Sequence, residues 1–189
     1  MRLAFLALTA CLLTAPAFAQ DAIKFPEKLD AKAAGYQMVY SDVGPLYIAG
    51  QPSEQAVRDL QAKGVKTIIN LRTQQEMDNR KAVPFDEAAL TKELGINYVH
   101  VPLGGPDTPY TPEAVDKVAD AIAKADGEVL LHCTVGWRAS HMWAAYLVKH
   151  KGLSEEEAIK QASAINFGGY TPPNGGSLPI DGFLGRVKP

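Results

Sequence analysis

The amino-acid sequence predicts an α/β fold with a mostly parallel sheet of about four to five strands and helices on both faces. Short apolar runs rich in β-branched residues recur along the chain, as expected for strands that are covered on both faces. The clearest runs are residues 46–49, 66–71, 96–101 and 129–131. A single helical segment separates successive runs, which is typical of right-handed βαβ units. No long linker interrupts the pattern, so we expect residues 20–189 to form one domain with its core at about residues 36–166.

The segments between the strands carry helix start and stop signals, with serine or threonine caps before them and glycines after them. The predicted helices span residues 53–64, 86–94, 111–127, 138–149 and 154–166. We expect residues 21–34 to be a polar lead-in and residues 72–81 to be a polar loop. Residues 167–189 are rich in glycine and proline and are predicted to form an irregular C-terminal tail.

The N-terminal residues have the pattern of a cleavable secretory signal. Arg2 precedes an apolar run, and an Ala-x-Ala triplet follows it at residues 17–19. We therefore expect residues 1–19 to be a signal peptide and the mature protein to be periplasmic or secreted after cleavage near Ala19. A lipoprotein cleavage site before Cys11 is the alternative, but it would leave an apolar segment of only about eight residues.

Charge and hydropathy limit the classes of partner. The sequence has 19 basic and 21 acidic residues, and removal of Arg2 with the signal would leave 18 against 21, a net charge of −3. Because no basic block is present, we expect neither nucleic acid nor an anionic membrane as a partner. No apolar run after the signal approaches the roughly 18 residues that a membrane span needs. His100, His141 and His150 share no ligand spacing with a cysteine, so we expect no metal and no cofactor, and the sequence leaves the oligomeric state open.

The sequence has two cysteines, and Cys133 is the one that remains after cleavage of the signal. It lies between a buried strand and a helix start, at the sheet edge where parallel α/β proteins bind ligands. Loop amides, the helix dipole and Arg138 would all stabilise a thiolate there. The same groups match a tetrahedral oxyanion, and Gly136 permits the positive φ that turns N–H groups inward. The predicted anion-binding residues are Thr134, Val135, Gly136, Trp137 and Arg138. Residues 132–138 therefore predict a nucleophilic cysteine in an anion-binding loop.

A His-Cys pair after a buried strand, followed by a glycine and an arginine, resembles the signature of the protein tyrosine phosphatase superfamily. Two other segments, residues 47–52 and 64–72, precede residues 132–138 in the chain. Together the three segments resemble the phosphatase-like domain of beta-lactamase-hydrolase-like proteins over roughly residues 40–166. The resemblance implies a protein-tyrosine-phosphatase-like fold and an enzyme that hydrolyses phosphate monoesters through a cysteinyl-phosphate on Cys133. A phosphorylated small molecule or a phosphoprotein would then be the substrate.

The resemblance also implies roles for individual residues. Arg138 and the loop amides would hold the phosphoryl oxygens while Cys133 attacks phosphorus. Asp107 is the candidate general acid, because it lies in a loop after the strand at residues 96–101. It could also be a simple turn residue beside proline and glycine.

Three further residues are predicted to support the site: His132, Ser140 and Arg72. His132 could orient the loop through a hydrogen bond or be a packed imidazole. Ser140 lies one position beyond Ala139, where many phosphatases carry serine or threonine. Arg72 and Glu76 follow a neighbouring strand and could line the cleft or pair with each other, and a structural pair is the favoured interpretation.

The spacing of the loop keeps two alternatives open. Four residues separate Cys133 from Arg138, one fewer than in the usual phosphatase loop, so the ring of amides is smaller. The shorter loop resembles that of rhodanese-type sulfurtransferases, which would carry a persulfide on Cys133. A catalytically silent anion-binding module is the third class, with Trp137 as a platform for a ligand. The motifs at residues 47–52 and 64–72 favour the phosphatase.

Overall fold

The computed structural model describes residues 22–169 and 177–187, and the predicted signal peptide lies outside them. The strands within these residues are β1 (Glu27–Lys28), β2 (Tyr40–Asp42), β3 (Leu46–Ala49), β4 (Val65–Asn70), β5 (Asn97–His100) and β6 (Glu128–His132). The helices there are α1 (Glu54–Ala62), α2 (Gln74–Asp78), α3 (Glu87–Glu93), α4 (Pro112–Lys124), α5 (Trp137–Lys151), α6 (Glu155–Ile165) and α7 (Pro179–Phe183).

Six strands form one sheet within the described residues, in the order β1-β2-β3-β6-β4-β5. The strands β3, β6, β4 and β5 are parallel to one another, whereas β1 and β2 pair antiparallel at one edge. The predicted mostly parallel α/β sheet is confirmed, with slightly more strands than expected. The two antiparallel strands have only two and three residues, which is too short for a hydrophobic period to reveal them.

Residue pairing places the carboxyl ends of the parallel strands level with one another. His132 at the end of β6 pairs with Ala49 in β3 and with Asn70 in β4, and Asn70 pairs with His100 in β5. The segments that follow these four strands therefore meet at one edge of the sheet. Because β6 is central, the loop after it is flanked by the ends of β3 and β4.

Helices cover both faces of the sheet, as predicted. Val129 and Leu131 of β6 belong to an apolar core that includes buried residues of α4, α5, α6 and α7. Leu130 points to the opposite face of the sheet. It belongs to a second apolar core there, which contains buried residues of α1 and α3. No helix in the described part of the chain is both long and apolar enough to cross a membrane.

Regular structure also occurs in segments that were predicted to be irregular. The strand β1 lies in the lead-in at residues 21–34, α2 in the polar loop at residues 72–81, and α7 in the tail at residues 167–189. The predicted irregular tail is therefore wrong at Pro179–Phe183. A helix of five residues is too short to be stable by itself, and tertiary packing decides its formation. The apolar core contains Phe183 of α7, which is fully buried.

Candidate active site

The loop between β6 and α5 places Cys133 at the carboxyl end of the central strand. Cys133 is buried, with 1% of its surface exposed. Gly136 adopts a φ of 79° just before α5, and a β-carbon there would lie 3.0 Å from Cβ of Val39. A side chain at this position would therefore be both strained and crowded, which explains the glycine in the loop. The positive φ predicted for Gly136 is confirmed.

Donors from outside the loop bind its carbonyl groups. The N–H of Gln51 donates to the carbonyl of Thr134 at 2.9 Å, and Asn166 Nδ2 donates to the carbonyl of Val135 at 2.8 Å. A β-carbon on Gly50 would lie 1.8 Å from the carbonyl oxygen of Gln37 and 3.1 Å from that of Thr134. The Gly-Gln pair after β3 thus combines a close backbone approach with a hydrogen bond that fixes the loop.

Arg138, in the first turn of α5, is held by a carboxylate from α2. Its Nη1 donates to Glu76 Oε2 at 2.8 Å and its Nη2 donates to Glu76 Oε1 at 2.6 Å, so the pair is bidentate. Nη1 also donates to the Leu103 carbonyl at 2.6 Å. The Thr134 hydroxyl accepts from Arg138 Nη2 at 3.0 Å and donates to Glu76 Oε1 at 2.8 Å. These contacts fix the orientation of the guanidinium beside the cysteine loop.

The same contacts change the proton affinity of both partners. Burial opposes ionisation of Glu76, but hydrogen bonds from Arg138, the Thr73 N–H and the Thr134 hydroxyl outweigh it and lower the pKa of Glu76 from 4.5 to about 2. Burial also opposes the charge on Arg138, yet the hydrogen bonds to Glu76 and the proximity of Cys133 raise the pKa of Arg138. Glu76 and Arg138 therefore form an ion pair at physiological pH.

Glu76 was not among the predicted site residues. The sequence favoured a structural pair between Arg72 and Glu76, but Arg72 Nε lies 3.7 Å from Glu76 Oε1, farther away than the two nitrogens of Arg138. The predicted pair with Arg72 is therefore the weaker of the two arginine contacts of Glu76. The capping box formed by Thr73 and Glu76 could have revealed the role, because it fixes Glu76 in the first turn after β4.

A second carboxylate lies behind the loop, on the opposite face of β6 from Cys133. His132 Nε2 lies 2.8 Å from Glu87 Oε1 in α3, and both side chains are fully buried. Gln51 Nε2 donates to Glu87 Oε2 at 2.8 Å, and Arg72 Nη1 donates to Gln51 Oε1 at 2.6 Å. Burial opposes ionisation of Glu87, but the proximity of His132 and the hydrogen bonds lower its pKa. His132 is thus hydrogen-bonded to a carboxylate, and Glu87 and Gln51 are further residues that the sequence did not reveal.

The loop after β5 brings Asp107 to the same edge of the sheet. A β-carbon on Gly104 would lie 3.7 Å from Arg138 Cδ, so the start of this loop passes beside the Arg138 side chain. Gly105 and Thr108 close a turn through two hydrogen bonds, of 3.1 and 2.9 Å. Asp107 is exposed within that turn. Asp107, the predicted acid, therefore lies in a loop that contacts Arg138. Its place in a turn also fits the alternative interpretation, in which Asp107 is a simple turn residue.

Ser140 and Trp137 have partners within α5. The Ser140 hydroxyl donates to the Trp137 carbonyl at 2.7 Å. The partly buried Trp137 ring meets His141 edge-on, with ring centroids 4.9 Å apart. Burial lowers the pKa of His141 to about 4, so this imidazole is neutral at physiological pH. The side chains of Ser140 and Trp137 therefore take part in the packing of α5.

Known proteins resemble this chain in sequence. A family model for PTP-NADK, described as a DSP-PTPase phosphatase fused to NAD+ kinase, matches residues 35–172. The chain belongs to this family of phosphatase domains. The beta-lactamase hydrolase-like protein of Xylella fastidiosa strain Temecula1 is 32% identical over 125 residues, which are 65% of this phosphatase-like chain and 28% of that protein. Its counterpart in Agrobacterium fabrum strain C58 is 33% identical over 94 residues, 50% and 21% of the two chains. This chain therefore spans less than a third of the length of these relatives.

Solved structures share the fold. A proposed phosphatase from Shewanella putrefaciens CN-32 superposes with a TM-score of 0.53 at 26% identity, over 69% of this chain and 80% of that one. PTPMT1 superposes with a TM-score of 0.57 at 21% identity, over 73% and 86% of the two chains, a likeness of fold alone. The predicted protein-tyrosine-phosphatase-like fold and family are confirmed, and these matches give no support to the sulfurtransferase alternative.

Proposed function

We propose that this phosphatase domain is an exported enzyme that hydrolyses phosphate monoesters through a cysteinyl-phosphate intermediate on Cys133. The observation that carries the proposal is the loop that begins at Cys133 and ends at Arg138. Both terminal nitrogens of Arg138 donate to the carboxylate of Glu76. Export is inferred from the pattern of residues 1–19. The substrate is a phosphorylated small molecule or a phosphoprotein, the classes on which phosphatases of this fold can act.

In the first step, the Cys133 thiolate attacks phosphorus and forms an S–P bond while the bond to the leaving oxygen breaks. Arg138 and the backbone N–H groups of residues 134–138 hold the non-bridging oxygens, where negative charge concentrates. Asp107 gives its proton to the leaving oxygen, so that an alcohol or phenol departs.

In the second step, water attacks the phosphorus of the cysteinyl-phosphate and the S–P bond breaks. The Asp107 carboxylate, deprotonated by the first step, accepts a proton from that water. The products are inorganic phosphate, the Cys133 thiolate and a reprotonated Asp107. No oxidant or reductant is consumed.

Glu76 would act as a positioning residue that does not touch the substrate. Nη1 of Arg138 donates to Glu76 and to the Leu103 carbonyl, and Nη2 donates to Glu76 and to the Thr134 hydroxyl. Within the described residues Arg138 Nε donates to no acceptor, so this N–H can face a phosphoryl oxygen without giving up an existing contact. Because misorientation of a binding group is costly, we expect Glu76→Gln to lower kcat/KM by about 10- to 100-fold.

Steady-state hydrolysis of an aryl phosphate by the purified protein tests the proposal. Cys133→Ser should abolish turnover, because the hydroxyl is a far weaker nucleophile in this setting. Cys11→Ser, assayed in the full chain with residues 1–19 still attached, is the matched control, since it makes the same change at the other cysteine of the sequence and should leave the rate unchanged. Equal hydrolysis by wild type and Cys133→Ser would refute the mechanism, and phosphate binding without turnover would indicate a silent anion-binding module.

Export is tested separately from catalysis. The full chain and a variant that lacks residues 1–19 can be produced in a bacterial host and followed by cell fractionation and mass spectrometry. We expect the full chain in the periplasm or medium, shortened at a new N-terminus near Gln20. If the full chain is recovered in the cytoplasm with residues 1–19 still attached, and so is distributed like the shortened variant, the export proposal is contradicted. The catalytic proposal is not affected by that result.

A further inference from the structure

Tyr110 connects the loop that carries Asp107 to the C-terminal helix α7. Residues 104–110 form the acid loop, named for Asp107. The Tyr110 ring packs edge-on against Phe183 of α7, with ring centroids 5.3 Å apart. The phenol oxygen of Tyr110 lies at the other end of the loop, where a β-carbon on Gly104 would be only 2.6 Å from it. One side chain therefore contacts both α7 and the first residue of the acid loop.

The backbone of α7 also approaches Tyr110 closely. A β-carbon on Gly182 would lie 2.5 Å from the Tyr110 carbonyl oxygen and 2.8 Å from Tyr110 Cβ. Gly182 is a buried helical residue without a positive φ, so its own backbone conformation does not require a glycine. The contact with Tyr110 is what leaves no room for a side chain.

The rest of α7 is anchored to the body of the domain. Ile180 and Phe183 belong to the apolar core and are 3% and 0% exposed. Just after the helix, Arg186 Nη1 donates to Glu155 of α6 at 2.9 Å. A close-packed core resists displacement, whereas Asp107 lies in an exposed turn. A change at the contact between α7 and Tyr110 would therefore move the acid loop more than the helix.

The other end of the acid loop is held by Arg138. Its Nη1 donates to the carbonyl of Leu103, the residue before the loop, at 2.6 Å. Asp107 lies between this anchor and Tyr110, directly after Pro106, whose ring restricts the backbone. A shift of Tyr110 is therefore passed on to Asp107, three residues away.

On the basis of the acid role proposed for Asp107, we propose that Tyr110 is a positioning residue through which α7 holds Asp107 at the leaving oxygen of the substrate. A general acid must come within about 2.6–3.2 Å of the oxygen that it protonates. A misplacement of about 1 Å can lower the rate by about two orders of magnitude. The contacts of Tyr110 with Gly104, Gly182 and Phe183 restrict the acid loop before the substrate binds.

The dependence of kcat/KM on the leaving group tests this role. The first chemical step, in which Asp107 gives up its proton, contributes to kcat/KM, and p-nitrophenyl phosphate needs that proton far less than an alkyl phosphate does. Tyr110→Phe removes the hydroxyl that lies against Gly104 and keeps the ring beside Phe183. Gly182→Ala places a methyl group against the Tyr110 carbonyl. We expect each variant to lower kcat/KM about 3- to 30-fold for the alkyl phosphate and less than about twofold for p-nitrophenyl phosphate.

Tyr146→Phe is the matched control, because it makes the same change in α5 about 12 Å along the helix from Arg138. It should leave both kcat/KM values unchanged. A second measurement needs no substrate. The amides of Gly104 and Thr108 are hydrogen-bonded within the acid loop, and their hydrogen–deuterium exchange reports how firmly the loop is held. In Gly182→Ala these two amides should exchange several-fold faster, while the amides of β6 keep their wild-type rates.

Circular dichroism and thermal unfolding establish that each variant is folded. Losses of equal size for the two substrates, or no loss, in either folded variant would overturn the proposal, as would unchanged exchange of the loop amides in Gly182→Ala. If Gly182→Ala does not fold, Tyr110→Phe decides by the same kinetic criterion. Failure of the proposed function would look different. The wild type would then hydrolyse neither ester, or Asp107→Asn would keep the wild-type ratio of the two kcat/KM values, whatever the exchange rates of the acid loop.

Discussion

Acid unfolding of the protein should depend on Glu76, and the Glu76→Gln variant isolates that dependence. The pKa of Glu76 is lowered from 4.5 to about 2 in the folded protein. Folding therefore favours the charged form, and the resulting stability is fully present above about pH 4.5 and is lost as the pH falls toward 2. At about 1.4 kcal/mol per pKa unit the total is near 3 kcal/mol, and solvent screening of a side chain that is 31% exposed reduces it to roughly 2–3 kcal/mol.

Urea unfolding at pH 6 and pH 3 measures this contribution. More than half of the Glu76 contribution to the free energy of unfolding, about 1.5 kcal/mol, should be lost between pH 6 and pH 3 in the wild type. The Glu76→Gln variant should show no such loss. Glu156→Gln is the matched control, because Glu156 is exposed in α6, away from the candidate site, and its variant should follow the wild type. Parallel pH profiles for wild type and Glu76→Gln would refute the assigned ion pair with Arg138.

Three further predictions concern the loop, the acid and the C-terminal helix. Asp107→Asn should lower kcat by about 10²- to 10⁴-fold for alkyl phosphates and much less for p-nitrophenyl phosphate, whose leaving group needs no proton; equal losses would contradict the acid role. Gly136→Ala should lower the free energy of unfolding by about 1–3 kcal/mol in a urea titration, because of its φ of 79° and the 3.0 Å approach to Val39. Phe183→Ala should lower the free energy of unfolding by about 3–5 kcal/mol in the same assay, since Phe183 is fully buried and packs edge-on against Tyr110. A loss below about 1 kcal/mol, as expected for an exposed side chain, would show that α7 does not pack on the core.

Local patterns in the sequence were sufficient to predict the parallel sheet and the cysteine loop. The run of residues 129–131 requires burial on both faces, and the loop from Cys133 to Arg138 contains its own turn glycine, so neither prediction depended on distant contacts. The partners of the loop could not be predicted in this way. Glu76 and Glu87 lie 62 and 45 residues from Arg138 and His132, and only the strand register brings them together.

The short elements were missed for a related physical reason. Five residues of α7 carry no helical period of their own, and the helix forms because Ile180 and Phe183 become buried against the core. The antiparallel strand β2 is three residues long, and it is defined by its pairing with β1 and β3. Such elements depend on the folded surroundings, which a periodicity argument does not contain.

Rapid-quench mass spectrometry of Cys133 during turnover tests the proposed mechanism most directly. The protein is mixed with an aryl phosphate, quenched in acid within milliseconds, and the tryptic peptide of residues 125–138 is analysed for a phosphoryl group on sulfur. The mechanism predicts a phosphorylated Cys133 that forms within the first turnover and disappears when the substrate is consumed. Sustained release of phosphate with an unmodified peptide at every time point would contradict it.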